Sequence, residues 1–502
     1  MPVPFKKDPV EFDQQALFAT NVFDLLPGDH DCFVYEEIFE QLDTSEVEKG
    51  YSVRGQNAYH PRLIVGILIY AYSHGAFSSR QIEKKCHEDL GYMYISHRNC
   101  PNFRVLSDFR KDHPEFFKGC FKQSVLIAKE AGMASLGHVS TDGSKFKADT
   151  SKHKAMSYAR LKAKEKELME EIEALLAKAE KCDEQEDEEF EDRTGYELPE
   201  ELKIKEKRLA KIKAAREALE KREQEENPGK KIGDKKQISF ADKEARMMGK
   251  KGDFAYAYNG QVSVDSDHQI IVGEHLTQNA NDKKELQPAL TEIKEATGEL
   301  PEKMSMDNGY MSGQNLQCLS ETEIDVYMAT GKGEKQDNEE VTESTGKIKA
   351  NAFTYNVEQD VFICPADHVL ALKSQHDDGR KIYQADKNDC DRCKYRSRCC
   401  GSENGQPRTI HSDDKEPLRQ AMREKMAQEN AKEVYRKRKA ISEPVFGQIK
   451  NSGFRGFSMR GYEKSSGEFS LVCAVHNFKK IVKAVFTGHV RLENGKPLPA
   501  TG

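Results

Sequence analysis

Three acidic residues, far apart in the chain, have surroundings suited to metal ligands. They are Asp142 in V-S-T-D-G-S-K, Asp307 in M-S-M-D-N-G-Y and Glu443 in Y-R-K-R-K-A-I-S-E-P-V-F-G-Q-I-K. Carboxylates are hard oxygen donors, and two aspartates and a glutamate brought together can hold a pair of Mg2+ or Mn2+ ions. Such a pair activates an attacking oxygen and stabilises a leaving one, the chemistry that cuts and joins phosphodiesters. Phosphate-binding types accompany the acids: Ser144, Lys145 and Lys147 follow Asp142 and are candidate phosphate partners, and Lys439 and Lys450 stand at offsets of −4 and +7 from Glu443, near one helical face.

The elements around these residues are what must position them. G-H-V-S-T-D reads as a strand ending at Asp142 in a glycine turn, and K-M-S-M-D as a strand ending at Asp307 before N-G-Y. A strand-end aspartate projects into the crevice where α/β proteins build sites; alone, it is more often a turn residue, and two in one sheet are what favour ligands. Between them lie F-A-Y-A-Y-N-G-Q-V-S-V-D and H-Q-I-I-V-G-E-H-L-T, which alternate with period two and form an antiparallel hairpin, and then a helix around Lys283 to Ala296. The short strand D-V-Y-M-A-T follows, so the pattern is mixed α/β. Pro444 directly after Glu443 disfavours helix at the glutamate, so that either a new helix begins there or a helix kinks.

The chain has 502 residues, which predicts two to four domains. Charged residues make up 32 % and the mean hydropathy is −0.78, as expected of a soluble protein. The longest apolar run, Leu63 to Tyr72, is too short to span a bilayer, and no charged-then-apolar leader opens the chain. The expectation is a cytoplasmic protein with no membrane contact, whose 12 cysteines are thiols or metal ligands. A net charge of −7 argues weakly against a nucleic-acid partner, but the acidic excess is concentrated between Glu165 and Glu226 while the segments carrying Asp142 and Glu443 are basic.

The first 135 residues read as helical. Tyr59 to Cys86 gives a buried helix, a break at Gly75 and a Ser78-capped amphipathic helix, and N-F-R-V-L-S-D-F-R-K-D-H follows from Asn102, compatible with helix-turn-helix DNA binding or with plain helical packing. From Met156 to about Glu226, Leu161, Leu168, Ile172, Leu175 and Ala179, and then Leu202, Leu209, Ile212 and Leu219, keep heptad spacing on either side of T-G-Y-E-L-P. That is an antiparallel helical hairpin, either a solvated structural arm or a dimerisation arm. Further on, Cys390-x2-Cys393-x5-Cys399 with Cys400, and Cys364 in I-C-P-A-D-H, have the spacing of a closed structural Zn2+ site. His368 could replace one sulfur, and Cys399 and Cys400 are alternatives; an inert thiol cluster or a redox site is the competing reading.

Taken together, several blocks resemble the DDE-type insertion-sequence transposases over most of the chain. They are Y-H-P-R-L-I-V-G-I-L-I-Y-A-Y-S with S-R-Q-I-E, S-T-D-G-S-K, D-K-E-A-R-M-M with Y-N-G-Q-V-S-V-D, M-D-N-G-Y, and Y-R-K-R-K-A-I-S-E-P-V-F-G-Q-I-K with R-G-Y-E-K-S-S-G-E-F-S-L-V-C-A-V-H-N. The resemblance implies an RNase H-like catalytic domain in which Asp142, Asp307 and Glu443 bind two Mg2+ ions. It also implies a Tyr-Arg-Glu-Lys signature, matched by Tyr435, Arg438, Glu443 and Lys450. The usual spacing has three residues between Arg and Glu; here there are four, which leaves Arg436 and Lys439 as candidates for the arginine's role.

On this footing the chain divides into a helical DNA-binding domain (1–135), catalytic core in three parts (136–155, 233–330 and 426–490), a helical-hairpin insertion (156–232), a Cys-rich zinc insertion (331–425) and a disordered tail (491–502). The implied activity is cleavage at the ends of a bacterial insertion sequence and transfer of the 3′-OH to target DNA by a nucleoid-associated homodimer or higher oligomer. The competing readings are an RNase H-like nuclease without strand transfer, a DNA-binding protein without activity, and a zinc-dependent scaffold.

Overall fold

The computed structural model describes residues 21–51, 58–150, 155–187, 200–250, 253–330, 346–377, 379–400 and 405–500. The T-G-Y-E-L-P break and most of 331–349 lie outside them. The chain forms two compact units, residues 1–113 with 481–502 and residues 114–480. No helix of the described residues is long and apolar enough to cross a membrane.

The smaller unit is built from α1 (Asp31–Phe39), α2 (Ser45–Glu48), α3 (Pro61–Ser73), α4 (Ser79–Glu88), α5 (Leu90–Ile95) and α6 (Phe103–Asp112). His60 and Pro61 start α3, the imidazole accepting from Arg62 N, and Ile64 to Ser73 are buried on every side. Arg110, in the segment compatible with helix-turn-helix DNA binding or plain helical packing, points inward. Its guanidinium donates to Tyr72 Oη at 2.5 Å, Phe77 O at 3.1 Å and Ser79 Oγ at 2.6 Å, locking α6 to the α3–α4 turn. The expected disordered tail is corrected: β14 (Val490–Glu493) and β15 (Lys496–Pro499) form a hairpin. Asn494 and Gly495, at φ 53° and 76°, supply the left-handed pair that a two-residue turn requires.

The larger unit begins with α7 (Pro114–Glu130) and centres on a mixed sheet of β1 (His138–Lys147), β4 (Arg246–Lys250), β5 (Asp253–Asp265), β6 (Ile271–Thr277), β7 (Lys303–Met306) and β8 (Asp325–Met328). β5 lies antiparallel to β1 on one edge and to β4 and then β6 on the other. β7 is parallel to β1, and β8 to β7. Side chains alternate across the pleat. Ser140, Asp142, Ser144 and Phe146 therefore face α15 (Glu429–Ile441), α16 (Glu443–Asn451) and α17 (Tyr462–Phe486), while the other face packs on α10 (Leu286–Thr297), where Gly273 lies against Ile293.

Two insertions leave this core. Strands β2 (Ala155–Ser157) and β3 (Gln237–Ser239) pair at the base of α8 (Tyr158–Asp187) and α9 (Glu200–Glu226), whose shared core is Leu161, Leu168, Ile212, Ala215 and Leu219. The second is an antiparallel meander not foreseen in the sequence: β9 (Thr354–Asn356), β10 (Val361–Ile363), β11 (Val369–Gln375), β12 (Arg380–Ala385) and β13 (Thr409–Asp413). The short helices α12 (Lys387–Asp391) and α13 (Arg396–Cys399) lie between its last two strands, and α11 (Gly313–Ser320) and α14 (Glu416–Ala427) belong to the surrounding core.

Glu274 on β6 is buried and takes a hydrogen bond from Ser470 Oγ on α17. Burial pushes its pKa up to about 8 against the pull of that hydroxyl. A raised carboxyl favours the native state fully below its ordinary value of about 4.5, and that contribution is lost as pH rises through about 8. Glu274→Gln should match wild type in urea unfolding near pH 4. It should then gain on wild type between pH 4.5 and 8 and stay a few kcal/mol more stable above that.

Candidate active site

The polar residues gather where the sheet changes depth. β1 continues five residues past Asp142 to Lys147, whereas its parallel partner β7 stops at Met306, opposite Thr141. Asp142 is therefore not a strand end, as the sequence suggested, but a mid-strand residue beside a partner that has ended. Asp307 follows in the opened space, capping a 3-10 turn by accepting from Gly309 N at 2.7 Å.

Glu443 is brought in from the helical side. Ser442 ends α15, and Pro444 occupies the first turn of a new helix that begins at Glu443. At this junction Arg438, 7 % exposed, turns inward: Nη1 lies 3.3 Å from Asp142 Oδ2 and Nη2 lies 3.7 Å from Glu443 Oε1. The four-residue spacing is thus absorbed at the helix break, and Arg438, not Arg436 or Lys439, faces the acids; the latter two are exposed. Tyr435 stacks under the guanidinium, 5.8 Å from its ring centroid. Lys450 donates to Ser144 Oγ and sits 5.2 Å over the Phe146 ring.

Burial pushes the Asp142 carboxyl above its usual range; Arg438 and the Gly143 amide oppose this, and the neighbouring Asp307 and Asp282 add to it. Burial likewise lowers Lys145, which Asp282, Glu285, Asp142 and Asp307 pull back up. Lys145 thus lies within the field of the acids but on the opposite face of β1 from Lys450. Asp282, between β6 and α10, was missed in the sequence; the signal was a polar N-A-N-D run directly after a strand of the same sheet.

The donor set of Asp142, Asp307 and Glu443 is all carboxylate oxygen, which suits Mg2+ or Mn2+. Cys364, Cys390, Cys393, Cys399 and Cys400 line one small cavity with His368 and Asp389. The amides of Ala366 and Tyr395, each two residues on, point at the sulfurs of Cys364 and Cys393 at 3.4 Å. Burial raises the Cys364 thiol, and raises Cys399 to about 12. Among the described residues, no group of three or more His, Cys, Asp or Glu is drawn tightly enough together to hold an ion as it stands.

Two family comparisons bear on this arrangement. A Transposase DDE domain matches residues 363–482, spanning the cysteines, Arg438 and Glu443, and a Transposase domain (DUF772) matches residues 20–112. No curated protein matches the chain. Two transposase-domain matches, one towards each end, indicate an insertion-sequence DDE transposase.

Arg438 and Asp142 should be coupled. Arg438→Met leaves a buried carboxylate without its counter-charge, and Asp142→Asn removes the need for one. In a double-mutant cycle by urea denaturation in chelator, the coupling energy should be about 1–3 kcal/mol and favourable; an additive double mutant would show that the pair does not interact.

Proposed function

We propose that this transposase cuts DNA at the ends of its element and transfers the freed 3′-OH to target DNA, with Asp142, Asp307 and Glu443 as the metal-binding triad of an RNase H-like core. The observation that carries the reading is the convergence of three distant segments at the end of β7: Asp142 on β1, Asp307 one residue past the end of its parallel neighbour β7, and Glu443 tied to Asp142 through Arg438. The antiparallel β6-β5-β1 and parallel β1-β7-β8 order supports the fold assignment. The proposed domain division keeps residues 1–135 for DNA ends, 156–232 and 331–425 as insertions, and 136–155, 233–330 and 426–490 as the core.

Two Mg2+ or Mn2+ ions, when bound, would supply the Lewis acidity for the attacking and leaving oxygens. The chain's own part is positioning. Asp142 is fixed by the sheet, and Glu443 by the start of a helix. Lys450, Lys439, Lys145 and Tyr435 would engage phosphates, and Arg438 would hold the two acids in register until the cations and DNA compete for them. The helices of the smaller unit would read the terminal inverted repeats of double-stranded DNA. A cytoplasmic, nucleoid-associated homodimer or higher oligomer fits an enzyme that must handle two ends. For the Cys-rich insertion we propose a structural Zn2+ held by Cys364, Cys390, Cys393 and either Cys399 or Cys400.

On a labelled duplex carrying the native element end, with Mg2+ or Mn2+, wild type should cut and join. Asp142→Ala, Asp307→Ala and Glu443→Ala should each bind the duplex but lose at least about 10³-fold in cleavage. Wild type that binds without cutting, or variants that cut as well, would overturn the assignment. Elemental analysis should find about one zinc per chain, falling to a small fraction in Cys390→Ser/Cys393→Ser; a metal-free wild type would refute the zinc site.

A further inference from the structure

Gly143 follows Asp142 and points to the opposite face of β1. A Cβ placed there would meet Gln261 Nε2 at 2.3 Å, Asp282 Oδ1 at 2.9 Å and Asn259 Oδ1 at 3.0 Å. Three polar side chains therefore crowd the backbone next to the first acid, and only glycine permits their approach. Asn259 and Gln261 come from β5, are buried, and donate to Asp282 Oδ1 at 2.8 and 2.6 Å. Tyr310 Oη donates to Gln261 Oε1, so the orientation of the Gln261 amide is fixed in turn.

This leaves two oxygens uncommitted. Both amide hydrogen bonds go to Oδ1 of Asp282; its Oδ2 accepts none among the described residues and lies 3.0 Å from the point where a Gly309 Cβ would stand. Asp307 Oδ1 lies 2.8 Å from that same point, so the two carboxylates flank one small space. The second oxygen is Asn259 Oδ1, fully buried and without a donor among the described residues. Its orientation is not arbitrary, because reversing the amide would turn an oxygen towards the Asp282 carboxylate. A buried acceptor that crowds the same point as the Asp282 carboxylate needs a donor or a cation to satisfy it.

We propose that Asp282 is a fourth acidic ligand for the divalent cations held by Asp142 and Asp307, set in place by Asn259 and Gln261. The inference rests on the metal-site reading above and extends it to the other face of the sheet. Asp142 reaches the crevice from the helical side and Asp282 from the α10 side. A cation there would meet carboxylate oxygens from both faces.

The test is Mn2+ titration of the full chain without DNA, followed by electron paramagnetic resonance, comparing wild type with Asp282→Asn and Asp142→Asn. Asn at 282 keeps the acceptor for both amides, so a purely structural role predicts wild-type affinity. The proposal predicts a loss of at least about 10-fold. Wild-type binding by Asp282→Asn together with weakened binding by Asp142→Asn overturns this inference and leaves the triad standing. Unchanged binding by Asp142→Asn overturns both. Should Asp282→Asn fail to fold, Fe2+-directed hydroxyl-radical cleavage of the wild-type backbone decides: cuts near 142, 307 and 279–283 are expected, and their absence from 279–283 refutes the proposal.

Discussion

The site depends on a difference in strand length. In a parallel pair of equal strands, each residue of β1 would be covered on that edge by a hydrogen-bonded neighbour. Here the ladder stops at Thr141–Met306, and β1 continues alone until Lys147 meets Gly456. The uncovered stretch is paired on its other edge with β5 over its full length, so its backbone stays hydrogen-bonded while one side is open. Rigid elements position ligands more closely than loops do. That single step in the sheet lets Asp142 be half-buried and still accessible.

Acids gathered at such a step repel one another, and the chain answers with cations it can withdraw. Arg438 is well placed for this because a guanidinium presents several donors in one plane and spans two carboxylates at once, where an ammonium would favour one. Its longer contact is to Glu443, whose side chain is 53 % exposed, so the glutamate is the acid most easily released. Asp142, with the shorter contact and a backbone amide bond, is the fixed member. The site is thus graded from a rigid aspartate in the sheet to a releasable glutamate at a helix start.

Much of this was legible because each acid carries its own local signal: an apolar strand before Asp142 and Asp307, and a proline after Glu443. Pro444 resolved as a helix start because its missing N–H costs nothing there. What sequence could not show was where neighbouring strands stop. β1 was read as ending at Asp142 because Gly143 looked like a turn, yet here glycine serves close packing against Asn259, Gln261 and Asp282. Asp282 carries only a polar run after a strand, and its place beside Gly143 emerges only when β5 lies beside β1. The cysteine spacing was visible, but the meander around it was not, since β9 and β10 have three residues each. The N-G turn near the C-terminus was a readable signal in a segment too polar and short to suggest a strand pair.

The Cys-rich insertion has a structural consequence for the acids that its distance in sequence hides. Its last strand, β13, runs almost directly into α14, and the junction is locked by charge. Arg419 pairs with both oxygens of Asp413 at 2.8 and 2.7 Å, and Glu416, nearly buried, receives Arg419, Arg423 and Ser412. Lys425, near the end of α14, pairs with Asp325 on β8. Beyond α14 comes α15, which bears Tyr435 and Arg438. α14, the helix that leads into the one bearing Arg438, is thus tied at its start to the meander through Asp413 and near its end to β8 through Asp325.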